Sequence, residues 1–206
     1  MSLELWRRRY RKAPVTAVKR EIVSAAPEFD SADELPPVLC VTGDPRGAAA
    51  FAEHWLPHIA ARGRAVHAVS VRGQGKTPKG DGGRAGRVHD LVQAAVRLPR
   101  RAVLVGHGSG AQLVAHALTR YPAAAGVLLA PQGVRSAPGD PVGGPRLLVA
   151  GSPEDRKSPQ KTLDKAAAAY HVAPLLFPGI SHDFMSDPGW KAPLDAILDW
   201  LDEKDE

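Results

Sequence analysis

The stretch Val103-Leu104-Val105-Gly106-His107-Gly108-Ser109-Gly110-Ala111 limits the possible folds of this chain more than any other. An apolar, β-favouring run passes through three alternating glycines straight into a helix-favouring segment, Ser109 to Arg120, with no residues left for a loop. Small residues at 106 and 110 let strand and helix pass closely, and a glycine at 108 permits a backbone conformation that strains other residues. A strand that turns directly into a helix belongs to a sheet covered by helices.

The rest of the sequence repeats that alternation, so the fold class is α/β with a mostly parallel sheet. Strands are expected at Val15 to Val18, Glu21 to Ala25, Pro37 to Thr42, Ala65 to Val71, Arg101 to Gly106, Gly126 to Ala130, Arg146 to Ala150 and Val172 to Phe177. The first two have no helix between them and suit an antiparallel edge. Crossover helices are expected at Ala48 to Arg62, Ala85 to Leu98, Ser109 to Arg120, Pro159 to Tyr170 and Gly189 to Leu201. From Gly133 to Pro145 the chain is rich in Gly and Pro, which predicts a loop there and leaves no room for a cap domain. One domain over 1–206 with a basic N-terminal extension, 1–14, follows from the length.

Composition narrows the function classes. Hydrophobic residues make up 44% and charged residues 24%, and no apolar run approaches the roughly 20 residues that span a bilayer. Charge in Glu4 and Arg7-Arg8-Arg9 stands where a secretory leader needs apolar residues, so a cytoplasmic location is expected. The single cysteine, Cys40, lies between Leu39 and Val41 and reads as a buried small hydrophobe. The net charge of +5 and the basic run Arg7 to Lys12 come without any nucleic-acid-binding signature and beside an acidic C-terminus, so neither nucleic acid nor membrane is an expected partner. His54 and His58 have helical i, i+4 spacing, but Pro57 intervenes and no glutamate lies between them, so an exposed helix face is expected and no metal. Gln74-Gly75-Lys76-Thr77 imitates the end of a phosphate loop, yet position 70 is serine and Pro78 to Gly83 is no helix start.

Four separated motifs together carry a resemblance. They are Leu39-Cys40-Val41-Thr42-Gly43-Asp44-Pro45; Ser70-Val71-Arg72-Gly73-Gln74-Gly75-Lys76-Thr77; the glycine turn at 106–110, preceded by Asp90-Leu91 in a helix; and Ile180-Ser181-His182-Asp183-Phe184-Met185, followed by Trp190 and a closing helix. In this order and spacing the chain, from about residue 15 to 203, resembles the α/β-hydrolase superfamily, specifically its small, capless esterase- and lipase-like members. The resemblance implies helices on both faces of the sheet, no cofactor, and a small-molecule substrate or ligand. It also makes residues 106–110 similar to the family's nucleophile elbow, with glycine at the nucleophile position, Gly108.

What the resemblance implies for the site follows residue by residue. His182 takes the histidine position, and Asp155, a few residues beyond the Arg146 strand, takes the acid position, with Glu154 as the alternative. The oxyanion donors correspond to the N–H groups of Asp44 and Ser109. Thr42, Gly43, His107 and Gln132 are expected to line the pocket. A carboxylate at 44 repels a developing oxyanion unless it is turned away or protonated. Ser109 as a displaced nucleophile would put His107 where a small residue is needed. Three functions remain open: a non-hydrolytic enzyme in which a His182–Asp155 dyad acts as general base on a small organic substrate, a binding module without chemistry, and a serine esterase whose nucleophile was changed to Gly108.

Overall fold

The computed structural model describes residues 15–28 and 35–203; the basic run at 7–12 and the last three residues lie outside them. Among the described residues seven strands form one sheet: β1 (Ile22–Ala25), β2 (Val38–Thr42), β3 (Val66–Val69), β4 (Val103–His107), β5 (Ala125–Leu129), β6 (Arg146–Gly151) and β7 (Pro174–Leu176). Their order is β1-β3-β2-β4-β5-β6-β7, with β1 antiparallel on β3 and every other pairing parallel. The chain therefore adopts the alpha/beta hydrolase fold.

Among the described residues five α-helices cover the sheet: α1 (Trp55–Ala61), α2 (Gly83–Ala95), α3 (Ser109–Leu118), α4 (Gln160–Ala169) and α5 (Lys191–Asp202). Leu91, Val114 and Ala166, from α2, α3 and α4, pack in the core layer on one face. Trp55, Ile59, Leu194 and Ile197, from α1 and α5, pack in the layer on the other. Sandwiched in this way, β2, β4 and β5 are buried at every position, which explains why their sequences read as continuous apolar runs. Each Val or Leu buried there stabilises the fold by roughly 1.5–3 kcal/mol relative to exposure. Cys40 is fully buried among them, and that burial pushes its thiol pKa up.

Two element expectations are corrected. Residues 15–18 form no strand; the backbone N–H of Thr16 goes to the Asp81 carboxylate at 3.1 Å and its carbonyl accepts from Arg72 Nη2 at 3.3 Å, so side chains satisfy this backbone in place of a ladder. The helix expected over 48–62 is broken into a 3₁₀ turn, Gly47–Phe51, and α1. Pro57 has no N–H for the carbonyl of residue 53, so an α-helix starts only where proline falls in its first turn. The exposed histidine face expected on α1 is likewise corrected. His54 stacks on Trp190 with centroids 4.9 Å apart, and His58 Nε2 lies 2.6 Å from the Asp195 carboxylate of α5.

Between β5 and β6 there is neither helix nor strand, in line with the Gly/Pro-rich sequence. Among the described residues, no helix is long and apolar enough to cross a membrane.

Candidate functional site

The pocket sits where β2, β4, β5 and β6 end, at the carboxyl edge of the sheet, the usual ligand side of such folds. Strand β4 delivers His107 and Gly108, and α3 begins at Ser109. Gly108 has φ 60° and ψ −125°, a region strained for residues with a Cβ. Its neighbours are glycine for a different reason. A Cβ on Gly106 would stand 2.6 Å from the Gly110 carbonyl oxygen, and one on Gly110 would stand 2.6 Å from the Val41 carbonyl oxygen. The turn thus threads the strand, the helix and the end of β2 through a space that admits no side chain.

His182 comes from the loop between β7 and α5 and faces this turn. Its Nδ1 lies 2.6 Å from Asp155 Oδ2. The Asp155 side chain is completely buried while that of His182 is 18% exposed. Asp155 Oδ1 accepts the Lys157 N–H at 2.8 Å, so its second oxygen is also occupied. Glu154, the alternative acid, turns away to the Ser152 hydroxyl and the Gly179 N–H. With a carboxylate on Nδ1, the ring proton belongs on that nitrogen and the lone pair on Nε2. Nε2 points to Gly108, where an added Cβ would lie 3.5 Å away.

His107 ties three loops together. The β2–β4 register sets Thr42 beside His107, and Thr42 Oγ1 lies 3.0 Å from His107 Nδ1. His107 Nε2 donates to the carbonyl of His182 at 2.7 Å, and the Asp44 N–H donates to Thr42 Oγ1 at 3.1 Å. All three bonds are consistent with one neutral tautomer of His107, protonated on Nε2. Burial holds its pKa down at about 4.

The Asp44 carboxylate is clasped by Arg46, whose Nη2 is 3.0 Å from Asp44 Oδ2 and 2.7 Å from Asp183 Oδ2. Hydrogen bonding to Arg46 lowers the Asp44 pKa, so the group stays ionised. Gly43 packs against Ser109, whose backbone nitrogen would be 2.8 Å from a Cβ there. Gln132 follows Ala130, held at φ 44°, and its N–H donates to the Gly108 carbonyl at 3.0 Å. Its side-chain amide nitrogen reaches 3.4 Å from His182 Nε2. A cavity of about 220 Å³ opens over Gly43, Asp44, His107, Gly108, Ser109, Gln132 and His182.

Of the site residues expected from sequence, Gly43, Asp44, His107, Gly108, Ser109, Gln132 and His182 line this cavity; Asp155 is buried behind His182, Thr42 lines an adjoining recess with Ser109, and Glu154 turns away. Lys157 and the Arg46–Asp183 pair were not anticipated. The signal available was adjacency: Asp183 follows His182, Lys157 follows Asp155 by two residues, and Arg46 follows Asp44 by two.

A sequence profile of the alpha/beta hydrolase family matches residues 38–205. No curated protein matches the chain by sequence. Among solved structures, a putative alpha/beta hydrolase from Agrobacterium tumefaciens is 16% identical, with 92% of this chain and 95% of that one covered and a TM-score of 0.70. A monoacylglycerol lipase from Paleococcus ferrophilus is 15% identical over 90% of this chain and 98% of that one, with a TM-score of 0.71. A putative non-heme bromoperoxidase from Mycobacterium tuberculosis is 16% identical over 91% and 96%, with a TM-score of 0.69. At such identities the likeness carries the fold alone.

Proposed function

Because this chain belongs to the alpha/beta hydrolase family, we propose that Gly108 stands at its nucleophile position and that His182, oriented by Asp155, acts as general base on a small organic substrate without a covalent intermediate. The observation that carries this reading is the 2.6 Å contact from His182 Nδ1 to a fully buried carboxylate, with Nε2 facing the cavity beside Gly108. Nε2 takes a proton from a carbon adjacent to a carbonyl, the electron pair moves onto the carbonyl oxygen, and Asp155 stabilises the imidazolium that forms. Ser109, at the start of α3, offers its N–H to that oxygen, and Lys157 lines the same cavity. Gln132, whose amide reaches Nε2 at rest, yields that position to the substrate.

The test is solvent exchange. Pyruvate, acetone and methyl acetoacetate are incubated with the protein in D2O and followed by proton NMR. Protein-dependent loss of the C–H signal of at least one of them, abolished in His182→Ala, is expected; equal exchange with both proteins overturns the reading.

Two observations favour the other readings. The Asp44 N–H is engaged by Thr42 Oγ1, which leaves one fewer donor for an oxyanion and suits a binding module; ligand affinity indifferent to His182→Ala would support that. The open slot at Gly108 suits an esterase whose serine was replaced, and restoring the hydroxyl tests it.

A further inference from the structure

Beside the His182 pocket, and sharing Gln132 and Lys157 with it, lies a second cavity of about 510 Å³. Its walls carry Arg135, Lys157, Lys161 and Lys165 and no carboxylate. All four cationic residues are exposed, and among the described residues none of the four side chains has a hydrogen-bond or ion-pair partner. Lys161 and Lys165 are i, i+4 on α4, so both ammonium groups project from one face, an arrangement that costs helix stability when nothing neutralises it. Asp164, the single acid of α4, is bonded to Gln160 at 2.7 Å. The carboxylates of the reactive site have other partners, Asp44 and Asp183 on Arg46 and Asp155 on His182, and none of them lines this cavity. Positive charge converging on a concavity with no internal counter-charge concentrates anions there.

We propose that this cavity binds the phosphate or diphosphate group of an organic phosphate ester, whose reacting end passes Gln132 into the pocket of Gly108 and His182. Three lysines and one arginine suit the several negative charges of a phosphate better than the single charge of a carboxylate; lysine acts there as a point charge that needs no fixed fork. The assignment of a reacting end rests on the general-base reading above; the anion site itself does not.

The experiment is calorimetric titration of the full chain with inorganic pyrophosphate and with malonate at low salt. Pyrophosphate is expected to bind, malonate at least tenfold more weakly. Lys161→Glu/Lys165→Glu and its neutral counterpart Lys161→Gln/Lys165→Gln should each weaken pyrophosphate tenfold or more. Lys19→Glu/Lys191→Glu, an equal charge change at exposed positions outside this cavity, should leave it within twofold. No pyrophosphate binding by the parent, equal malonate affinity, or equal losses in the α4 and the control variants overturns the proposal. His182→Ala should retain pyrophosphate affinity, so a phosphate site that persists while no carbon acid exchanges would refute the base and leave the anion site standing.

Discussion

A Cβ built on Gly108 would stand 3.5 Å from Nε2 of His182 and 3.8 Å from its Cε1, with no other neighbour as close. A hydroxyl on that carbon falls within hydrogen-bonding reach of Nε2, the arrangement that activates a serine. Gly108→Ser is therefore expected to hydrolyse p-nitrophenyl acetate and to react with a fluorophosphonate probe, both absent in the parent and both lost again in Gly108→Ser/His182→Ala. A folded Gly108→Ser variant that remains silent would count against the replaced-nucleophile reading. The backbone at φ 60° makes the substitution costly by about 1–3 kcal/mol. That should lower the melting temperature by roughly 2–4 °C per kcal/mol in a domain of this size.

Asp155→Asn should separate chemistry from binding. The buried carboxylate both orients the ring and stabilises its protonated form, and an amide can do the first only by imposing the wrong tautomer. Proton exchange is expected to fall by roughly 10²–10⁴, the range of a general-base contribution, while ligand affinity measured by calorimetry changes less than threefold. A parallel collapse of affinity would mean that Asp155 matters through its Lys157 N–H bond and the shape of the loop.

The sheet was legible because buried parallel strands announce themselves as apolar runs, and the glycines at 106 and 110 because strand and helix approach within contact. The pairing of His182 with Asp155 in place of Glu154 was legible only as an order along the chain; what decides it is that Asp155 is buried and Glu154 is tied to Gly179. The extended look of residues 15–18 misled, since local β-propensity says nothing about whether a neighbouring strand is free to pair. His54 and His58 misled similarly, as Trp190 and Asp195, which cover them, are more than 130 residues away in sequence. The Arg46–Asp183 pair joins residues 137 apart, and no periodicity reports a contact of that kind.

His107 should make the protein acid-sensitive. Its ordinary pKa of 6.5 is held at about 4 by burial, so the folded state favours the neutral ring. Below pH 6.5 the unfolded chain takes up a proton that the folded chain refuses, and stability falls as pH drops from 6.5 to about 4. The slope is at most about 1.4 kcal/mol per pH unit and the total on the order of 3 kcal/mol. Urea unfolding of the parent and of His107→Asn at several pH values in that window should show this component in the parent alone. Parallel curves would remove His107 as its source.

Asp90 should prove more costly to remove than any residue of the cavity, although it touches no pocket atom. Its carboxylate accepts Arg72 Nε at 2.8 Å, Arg72 Nη2 at 2.9 Å and the Arg72 backbone N–H at 2.9 Å, and both side chains are essentially buried, 2% and 0% exposed. Asp90→Ala leaves the buried Arg72 guanidinium with Asp81 alone and takes from Arg20 its carboxylate partner at 3.5 Å, so it is expected to lose about 3–5 kcal/mol, whereas Arg72→Met/Asp90→Leu, which removes the first of these charges, should recover part of it. The consequence reaches the site through the Arg72–Thr77 loop, because Gln74 on that loop donates to the carbonyls of Thr42 at 2.8 Å and Asp44 at 3.2 Å. Urea unfolding gives the stability loss, and the ligand affinity of the double variant shows whether the loop keeps Thr42 and Asp44 in place without the ion pair. A double variant as unstable as Asp90→Ala would mean that the loss comes from the three hydrogen bonds and from Arg20, and that the Arg72 charge is a minor part of it.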